Sequence, residues 1–197
     1  MPNIEMYELN ETHYRNVDVV LCKTHICYDR VSQWYKQEGN PRNAQVLYTR
    51  HTSSDLANFA RTHLGADGIA PKDFTNVRFL HTVANSVQKG TQQVIECWLS
   101  RPNFPPLDLF IHADNYKDKY EAEFGDRINV ASQINLTTHN VDPMSFGKVV
   151  AEAAFFLCTS RMEGYGHYIN QARASGGVII TTDAAPMNEL IQRNGMG

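Results

Sequence analysis

The sequence lacks an excess of positive charge, a long apolar run and a paired-cysteine motif. Among 197 residues, 18 Lys and Arg stand against 21 Asp and Glu, which gives a net charge of −3. Without a basic surface, nucleic acid and anionic membranes are poor candidates as partners. No apolar run is long enough to span a bilayer, and the N-terminus has no signal-peptide pattern. The four cysteines show no CxxC spacing, so we expect reduced thiols and a cytoplasmic protein.

Motifs that define several enzyme classes are also missing. The turn at Gly164 and Gly166 has Ile169 where a dinucleotide-binding GxGxxG motif needs its third glycine. The chain has no GxxxxGK[ST] motif, no GxSxG motif and no Asp-x-Asp pair. No histidine pair has the spacing of metal ligands on one element. These absences argue against a dinucleotide dehydrogenase, a P-loop enzyme, a serine hydrolase and a metal site.

Short apolar runs alternate with helical stretches along the chain. This alternation predicts an α/β fold, a Rossmann-like parallel sheet with helices on both faces. We predict strands at 17–22, 45–49, 77–83, 107–113, 128–132, 134–137, 155–160 and 177–182. Helices are predicted at 26–37, after a cap at Ser53 or Ser54, and at 91–99, 142–152, 167–175 and 186–192. Residues 65–76 are predicted to form a loop.

Ligands bind at the carboxyl ends of the strands in such sheets. The loops 82–90, 159–166 and 182–186 follow predicted strands and should open at that edge. His81 lies inside a strand, where a histidine is usually a hydrogen-bonded core residue. Asp183 and Glu189 are interpreted as an N-cap and a solvated helix acid.

The loop before the helix at 167 holds the strongest candidate for a ligand site. Glu163 is followed by a Gly-Tyr-Gly turn and then by His167 at the start of the helix. Glycines let backbone N–H groups approach a ligand, and a helix N-terminus favours a phosphate. Gln171 lies about one turn into the helix. The alternative is a tight strand-to-helix turn with a solvent-facing acid.

Lys89 is the second candidate. With Gly90 it precedes the helix at 91–99, after a polar loop that follows a strand. A lysine there would direct a compact cation towards the same strand ends. The alternative is an ordinary surface lysine.

Two blocks resemble GT-B glycosyltransferases, in particular the retaining enzymes of family 4. They are EGYGHYINQARASGGVIITTDAAPMNEL at 163–190 and FLHTVANSVQKGTQQVIECW at 79–98. The likeness covers roughly residues 75–192 and is weaker at 17–55. The family carries a second Glu eight positions after the first, where this chain has Gln171. The segments GHYIN and TTDAAPMNEL are also similar to enzymes of large DNA viruses.

The resemblance implies a role for each matched residue. Glu163 and Lys89 would be catalytic: Glu163 touches hydroxyls of the donor sugar, and Lys89 neutralises the diphosphate of the leaving nucleotide. Gln171 would bind the ribose hydroxyls, and the loop with Thr138 and Val141 would lie by the base. The remaining donor-binding residues would be Gly164, Tyr165, Gly166 and His167, with Asn85 and Ser86 where the family often has an arginine.

The implied reaction transfers a hexose or deoxyhexose from a UDP- or GDP-sugar to a glycan acceptor with retention of configuration. No metal or other cofactor is implied, because the lysine and the helix N-terminus neutralise the diphosphate. Residues 1–44 would be the end of an N-terminal half and a linker. Residues 45–197 would be the nucleotide-sugar-binding domain, which stops before the family's closing helices.

Catalysis would then need an N-terminal half, from a longer protein or another chain, and the isolated chain could be inactive. Two alternatives stay open. Gln171 and the missing arginine motivate a non-catalytic nucleotide-sugar-binding or partner module. An epimerase that acts on the nucleotide sugar itself would use the same diphosphate site.

Overall fold

The structure is a computed structural model that describes residues 11–83 and 86–192. Its strands are β1 (Val19–Cys22), β2 (Gln45–Tyr48), β3 (Phe79–Val83), β4 (Leu107–Ile111), β5 (Ile134–Thr137), β6 (Phe155–Cys158) and β7 (Val178–Thr181). Its α-helices are α1 (Glu11–Tyr14), α2 (His25–Glu38), α3 (Leu56–Leu64), α4 (Thr91–Leu99), α5 (Ala113–Tyr116), α6 (Ala122–Val130), α7 (Pro143–Glu152), α8 (His167–Ser175) and α9 (Glu189–Gln192). The chain forms two compact units, a smaller one of 11–53, 162–167 and 182–192 and a larger one of 54–161 and 168–181.

The smaller unit is built on the succession β1-α2-β2. The two strands are parallel and pair from Val19 with Gln45 to Cys22 with Tyr48. Thr24 caps α2 by accepting a hydrogen bond from the backbone N–H of Cys27. The core of this unit consists of Tyr14, Val20, Cys22, Cys27, Val31, Tyr35 and Ala44. Gln45–Tyr48 therefore pairs with β1, and the domain boundary placed at residue 44 stays a prediction.

Glu189 provides a second cap for α2. Its carboxylate oxygens accept hydrogen bonds from the backbone N–H groups of His25 and Ile26, at 2.7 and 3.1 Å. A carboxylate at this position offsets the positive end of the helix, and burial raises the pKa of Glu189. The expectation of a solvated helix acid at Glu189 is therefore wrong.

The larger unit holds a parallel sheet of five strands in the order β5-β4-β3-β6-β7. The predicted α/β, Rossmann-like fold is confirmed. The chain moves along the sheet in one direction through α4 and α6, and in the other through α7 and α8. Because parallel crossovers are right-handed, this reversal places the two helix pairs on opposite faces.

Apolar side chains of α4 and α6 cover β3, β4 and β5 on one face. Ile95 and Phe124 pack there with Leu107 and Leu109, which are fully buried. On the other face α3 packs on α7, and Lys72 ties the ends of two helices together. The Lys72 ammonium donates to the carbonyl oxygens of Val150 and Ala153 and lies 3.4 Å from the Ser175 hydroxyl. It thereby satisfies carbonyls at the C-terminus of α7.

Two local predictions are wrong. The segment 128–132 is not a strand: residues 128–130 end α6 and the next two follow the helix, because Phe124 and Ile128 lie four residues apart and both enter the core. The cap of α3 is Asp55, which accepts a hydrogen bond from the backbone N–H of Asn58, rather than Ser53 or Ser54. Within the described residues, none of the helices combines the length and apolarity needed to cross a membrane.

Candidate functional site

The turn that carries Lys89 is fixed to the end of β6. The Thr159 hydroxyl donates to the backbone carbonyl of Lys89 at 2.9 Å, and the backbone N–H of Arg161 donates to the carbonyl of Gln88 at 2.7 Å. Gly90 has a φ of 68°, and a Cβ there would lie 2.4 Å from the Thr159 carbonyl oxygen. Only glycine fits this contact. Because the turn is bound to residues that follow β6, Lys89 lies at the carboxyl end of the sheet.

The side chain of Lys89 lies over the ring of Tyr168. Its ammonium is 3.7 Å from the ring centroid, which is a cation–π contact that holds a half-buried cation in place. The Tyr168 hydroxyl is in turn 2.6 Å from the Ser160 hydroxyl and accepts from the Ser160 backbone N–H at 3.1 Å. Lys89 is therefore an oriented cation rather than a mobile surface lysine.

His81 connects this turn to the core. It is fully buried, with Nδ1 2.8 Å from the Leu157 carbonyl and Nε2 3.0 Å from the Thr91 hydroxyl. Since a carbonyl only accepts, Nδ1 carries the proton and Nε2 accepts from Thr91. Burial lowers the pKa of His81 to about 4, and the charge of Lys89 acts in the same direction. The prediction of a hydrogen-bonded core histidine is confirmed.

Gln171 lies in α8, three residues after Tyr168. Side chains three apart lie on the same side of a helix, so Gln171 is on the side of α8 that meets Lys89. In the larger unit Lys89 therefore contacts Tyr168, and Gln171 follows on the same side of α8.

The loop of Glu163 belongs to the smaller unit. Glu163 is only 8% exposed, which is uncommon for a carboxylate, so the alternative of a solvent-facing acid is wrong. Gly164 is half-buried. Gly166 has a φ of 76°, which glycine adopts readily, and His167 begins α8 on the exposed side.

Two residues of the 49–53 segment hold this loop, and sequence reasoning assigned neither to the site, since it considered Ser53 only as a helix cap. The Tyr165 hydroxyl donates to the backbone carbonyl of His51, and the two rings pack edge to face at 4.7 Å. The Ser53 hydroxyl is 2.9 Å from Nδ1 of His167. Both contacts join segments more than a hundred residues apart, which no local pattern reveals.

The remaining predicted residues lie along the sheet edge, except for one that is outside the described residues. Ser86 caps the turn before Lys89, since its hydroxyl accepts from the Gln88 backbone N–H at 3.2 Å. Asn85 lies outside the described residues. Thr138 follows β5, two strands from β3, which corresponds to a separation of about 10 Å. Thr138 and Val141 are half-buried.

Within the ranges 11–83 and 86–192, no three His, Cys, Asp or Glu side chains form a group that could hold a metal ion. The predicted absence of a metal requirement stays a prediction. What the larger unit offers is an oriented cation, Lys89, in contact with the ring of Tyr168 on α8.

No protein-family model matches the sequence, and no curated protein is similar enough in sequence to count as a relative. Solved structures do match the fold. The pneumococcal O-GlcNAc transferase GtfA, in complex with UDP and GlcNAc, has a TM-score of 0.61 at 13% identity over 91% of this chain. A UDP-forming trehalose-phosphate synthase from Burkholderia vietnamiensis has a TM-score of 0.66 at 12% identity over 87% of the chain. A glycosyltransferase from Rickettsia africae has a TM-score of 0.64 at 11% identity over 95% of the chain.

This chain spans 33%, 47% and 52% of the lengths of those three proteins. At such identities the likeness concerns the fold, which is the α/β fold of GT-B glycosyltransferases.

Proposed function

We propose that this chain is the donor-binding part of a retaining glycosyltransferase of the family 4 type. It binds a nucleoside diphosphate sugar and transfers its hexose or deoxyhexose to a glycan acceptor without a metal ion. The observation that carries this proposal is the fixed position of Lys89. Its backbone is bound to the end of β6, and its ammonium lies over Tyr168, which is on the same helix as Gln171.

Lys89 is assigned to the diphosphate. A cation that is already oriented stabilises the charge that builds up on the leaving nucleotide at no further cost in reorganisation. Tyr168 fixes the ammonium, and the Gly90 contact with Thr159 fixes the backbone. This arrangement does for a diphosphate what a divalent metal does in other enzymes, which is the basis for proposing a metal-independent reaction.

The loop of the smaller unit is assigned to the sugar. Glu163 accepts hydrogen bonds from donor-sugar hydroxyls, and its burial makes such bonds stronger than in water. Backbone N–H groups from Gly164 to His167, with Tyr165 and Gly166 between them, serve the sugar and the phosphate oxygens. The contacts of Tyr165 with His51 and of His167 with Ser53 give this loop a defined shape.

Gln171 is assigned to the ribose, and the segment with Thr138 and Val141 to the base. An amide accepts one hydrogen bond and donates another, so it can still bind a diol, although without the charge of a carboxylate. Thr138 follows β5 and Lys89 follows β3, and these strands are about 10 Å apart in the sheet. An extended nucleotide bridges such a distance.

The neighbours in fold make UDP the first nucleotide to test, since GtfA is in complex with UDP and the trehalose-phosphate synthase is UDP-forming. The chain's share of their lengths supports the proposal that a second, N-terminal half completes the enzyme and binds the acceptor. That half can belong to a longer protein or to another chain.

A non-catalytic binding module is the second candidate, and Gln171 in place of a carboxylate is the observation that favours it. Such a module binds the nucleotide sugar but transfers nothing, even when an N-terminal half is supplied. An epimerase differs from both, because it converts the nucleotide sugar with no acceptor present.

The test is a thermal-shift screen of the chain against UDP, GDP, ADP and dTDP, each with and without its sugar. Ligands that bind only the folded state raise the melting temperature. We expect one diphosphate to stabilise the chain more than its nucleoside does, and Lys89→Ala to remove that difference. Lys119→Ala, which changes an exposed lysine, is the matched control and should behave like the wild type.

No shift with any diphosphate at millimolar concentration contradicts the proposal. If one diphosphate binds, transfer from its radiolabelled sugar is measured with and without a supplied N-terminal half. Transfer excludes the non-catalytic module, and conversion without acceptor favours the epimerase.

A further inference from the structure

The larger sheet carries an apolar surface that none of the described helices of its unit covers. Helices α4 and α6 lie over β3, β4 and β5, while the same face of β6 and β7 extends beyond them. Residues paired across parallel strands point to the same face, and Leu157 pairs with Ile180 while Phe155 pairs with Val178. Leu157 belongs to the core under α4. Val178 and Ile180 therefore continue that core outward, yet each is 46% exposed.

A cavity of about 410 Å³ lies where this surface meets α4. Its walls are Gly90, Gln93, Val94, Cys97, Trp98, Leu157, Thr159 and Arg161. The volume falls in the range typical of sites for small molecules, which are mostly apolar with a few polar groups. Together with Val178 and Ile180, these residues define what we call the α4 groove.

The polar groups of the α4 groove are at one end. Thr159 and Arg161 follow β6, and Gly90 precedes α4, so this end is at the carboxyl edge of the sheet. Because α4 runs back against the strands, Val94, Cys97 and Trp98 continue towards the other edge and are apolar. Trp98 uses its N–H on the Pro105 carbonyl at 2.8 Å, so its ring offers only apolar surface to the groove.

Arg161 gives the polar end its charge. Its side chain is exposed, and within the described part of the chain no carboxylate lies within ion-pair distance of its guanidinium. A guanidinium presents paired N–H donors that match a carboxylate. One cationic end and a long apolar remainder are complementary to a ligand with an anionic head and a single apolar chain.

We propose that the α4 groove binds a long-chain fatty carboxylate, with its head at Arg161 and its chain along Val94, Cys97 and Leu157 towards Val178 and Ile180. This inference is independent of the proposed sugar transfer, since it uses none of the residues assigned to the donor. A covering helix from another polypeptide is the other possible occupant, but a cavity whose described lining holds one charged residue, Arg161, favours a chain with a head group.

The test uses 11-(dansylamino)undecanoate below its micelle concentration, followed by dansyl emission and by energy transfer from tryptophan. We expect saturable binding at one site. Arg161→Gln should weaken it roughly fivefold, the contribution of a largely exposed charge pair, and should not change binding of the uncharged primary amide of the same probe. Ile180→Lys should weaken both probes, because it places a charge in the apolar part.

Two control variants match these changes in chemistry. Arg173→Gln removes an exposed arginine on α8, and Val130→Lys changes a valine that is 85% exposed on α6; both should bind as the wild type does. Dodecanoate should also slow alkylation of Cys97, the one partly exposed cysteine among the four. Far-UV circular dichroism and the melting temperature show whether each variant is folded.

Any of three results overturns the proposal. The first is the absence of saturable binding by the wild type, which leaves a covering helix as the occupant. The second is an equal effect of the groove variants and the control variants. The third is an Arg161→Gln variant that weakens binding of the carboxylate and of the amide alike.

Discussion

The pH dependence of stability should report on His81, whose ring connects Lys89's turn to the core. His81 is fully buried between the Leu157 carbonyl and the Thr91 hydroxyl, and burial lowers its pKa from 6.5 to about 4. In the unfolded chain the ring recovers its ordinary pKa. As the pH falls below 6.5, the ring therefore binds a proton in the unfolded chain but stays neutral in the folded chain, which lowers the free energy of unfolding.

The size of the effect follows from the two pKa values. The stability that the neutral ring supports is complete above pH 6.5 and is lost progressively as the pH falls to about 4. At about pH 5 the loss is about 2 kcal/mol, and below pH 4 it approaches about 3 kcal/mol. A loss of this size is a large fraction of the stability of an ordinary domain, which is roughly 5–15 kcal/mol.

Urea denaturation followed by circular dichroism measures this loss. His81→Gln removes the titrating ring and keeps an amide, so it should be less stable than the wild type at about pH 7.5, by roughly 1–3 kcal/mol for an imperfect buried hydrogen bond. Between about pH 7.5 and about pH 5 the difference between the two proteins should shrink by about 2 kcal/mol. His63→Gln, which changes an exposed histidine, should follow the wild type. A constant difference between wild type and His81→Gln would refute the reasoning.

Four further substitutions test the site. Lys89→Ala should weaken UDP at least tenfold in calorimetric titration and uridine much less, because it removes a charge-assisted contact with phosphate; equal losses would make the lysine structural. Glu163→Ala should abolish discrimination of UDP-sugar from UDP and spare UDP itself, so equal weakening of both contradicts the sugar assignment. Gln171→Glu should keep or raise UDP affinity, and a sharp loss removes its ribose assignment. Gly90→Ala should destabilise the chain by roughly 1–3 kcal/mol in urea, since its Cβ would lie 2.4 Å from the Thr159 carbonyl oxygen; unchanged stability would mean that the turn adapts.

The elements that local sequence determines were predicted well. The bounds of α4 and α8 match the prediction to the residue, because Gly90 and Gly166 have left-handed backbone conformations and each directly precedes a helix. The apolar run 155–160 forms the mostly buried parallel strand β6, which needs no alternation. The run 177–182 forms β7, which pairs with β6 and is less buried. The sheet order places β3 next to β6, so residues 88–90 contact residues 159–161 after β6 at the carboxyl edge, where the sequence had placed both loops.

What was missed depends on contacts between distant parts of the chain. The helical segment from α5 to α6 contains no strong start signal, and its apolar side chains at Phe124 and Ile128 become a helix face only against the core. Tyr168 was passed over because its ring matters only where Lys89 lies over it. A glutamate near a helix start, such as Glu189, is usually solvated. Only the contact with the start of α2 makes it a cap.

The two parts of the predicted site differ in how they are held, and this difference separates their functions. Lys89 is tied by Thr159, Tyr168 and the neighbours of His81 to a five-stranded sheet, so its position has the stability of the core. The Glu163 loop is held by side-chain contacts with the 49–53 segment, namely Tyr165 with His51 and His167 with Ser53. Ser53→Ala should therefore alter recognition of the sugar while the affinity for UDP changes little. A matching loss for UDP and UDP-sugar would show that the two parts act as one element, and it would remove the separation of roles argued from their contacts.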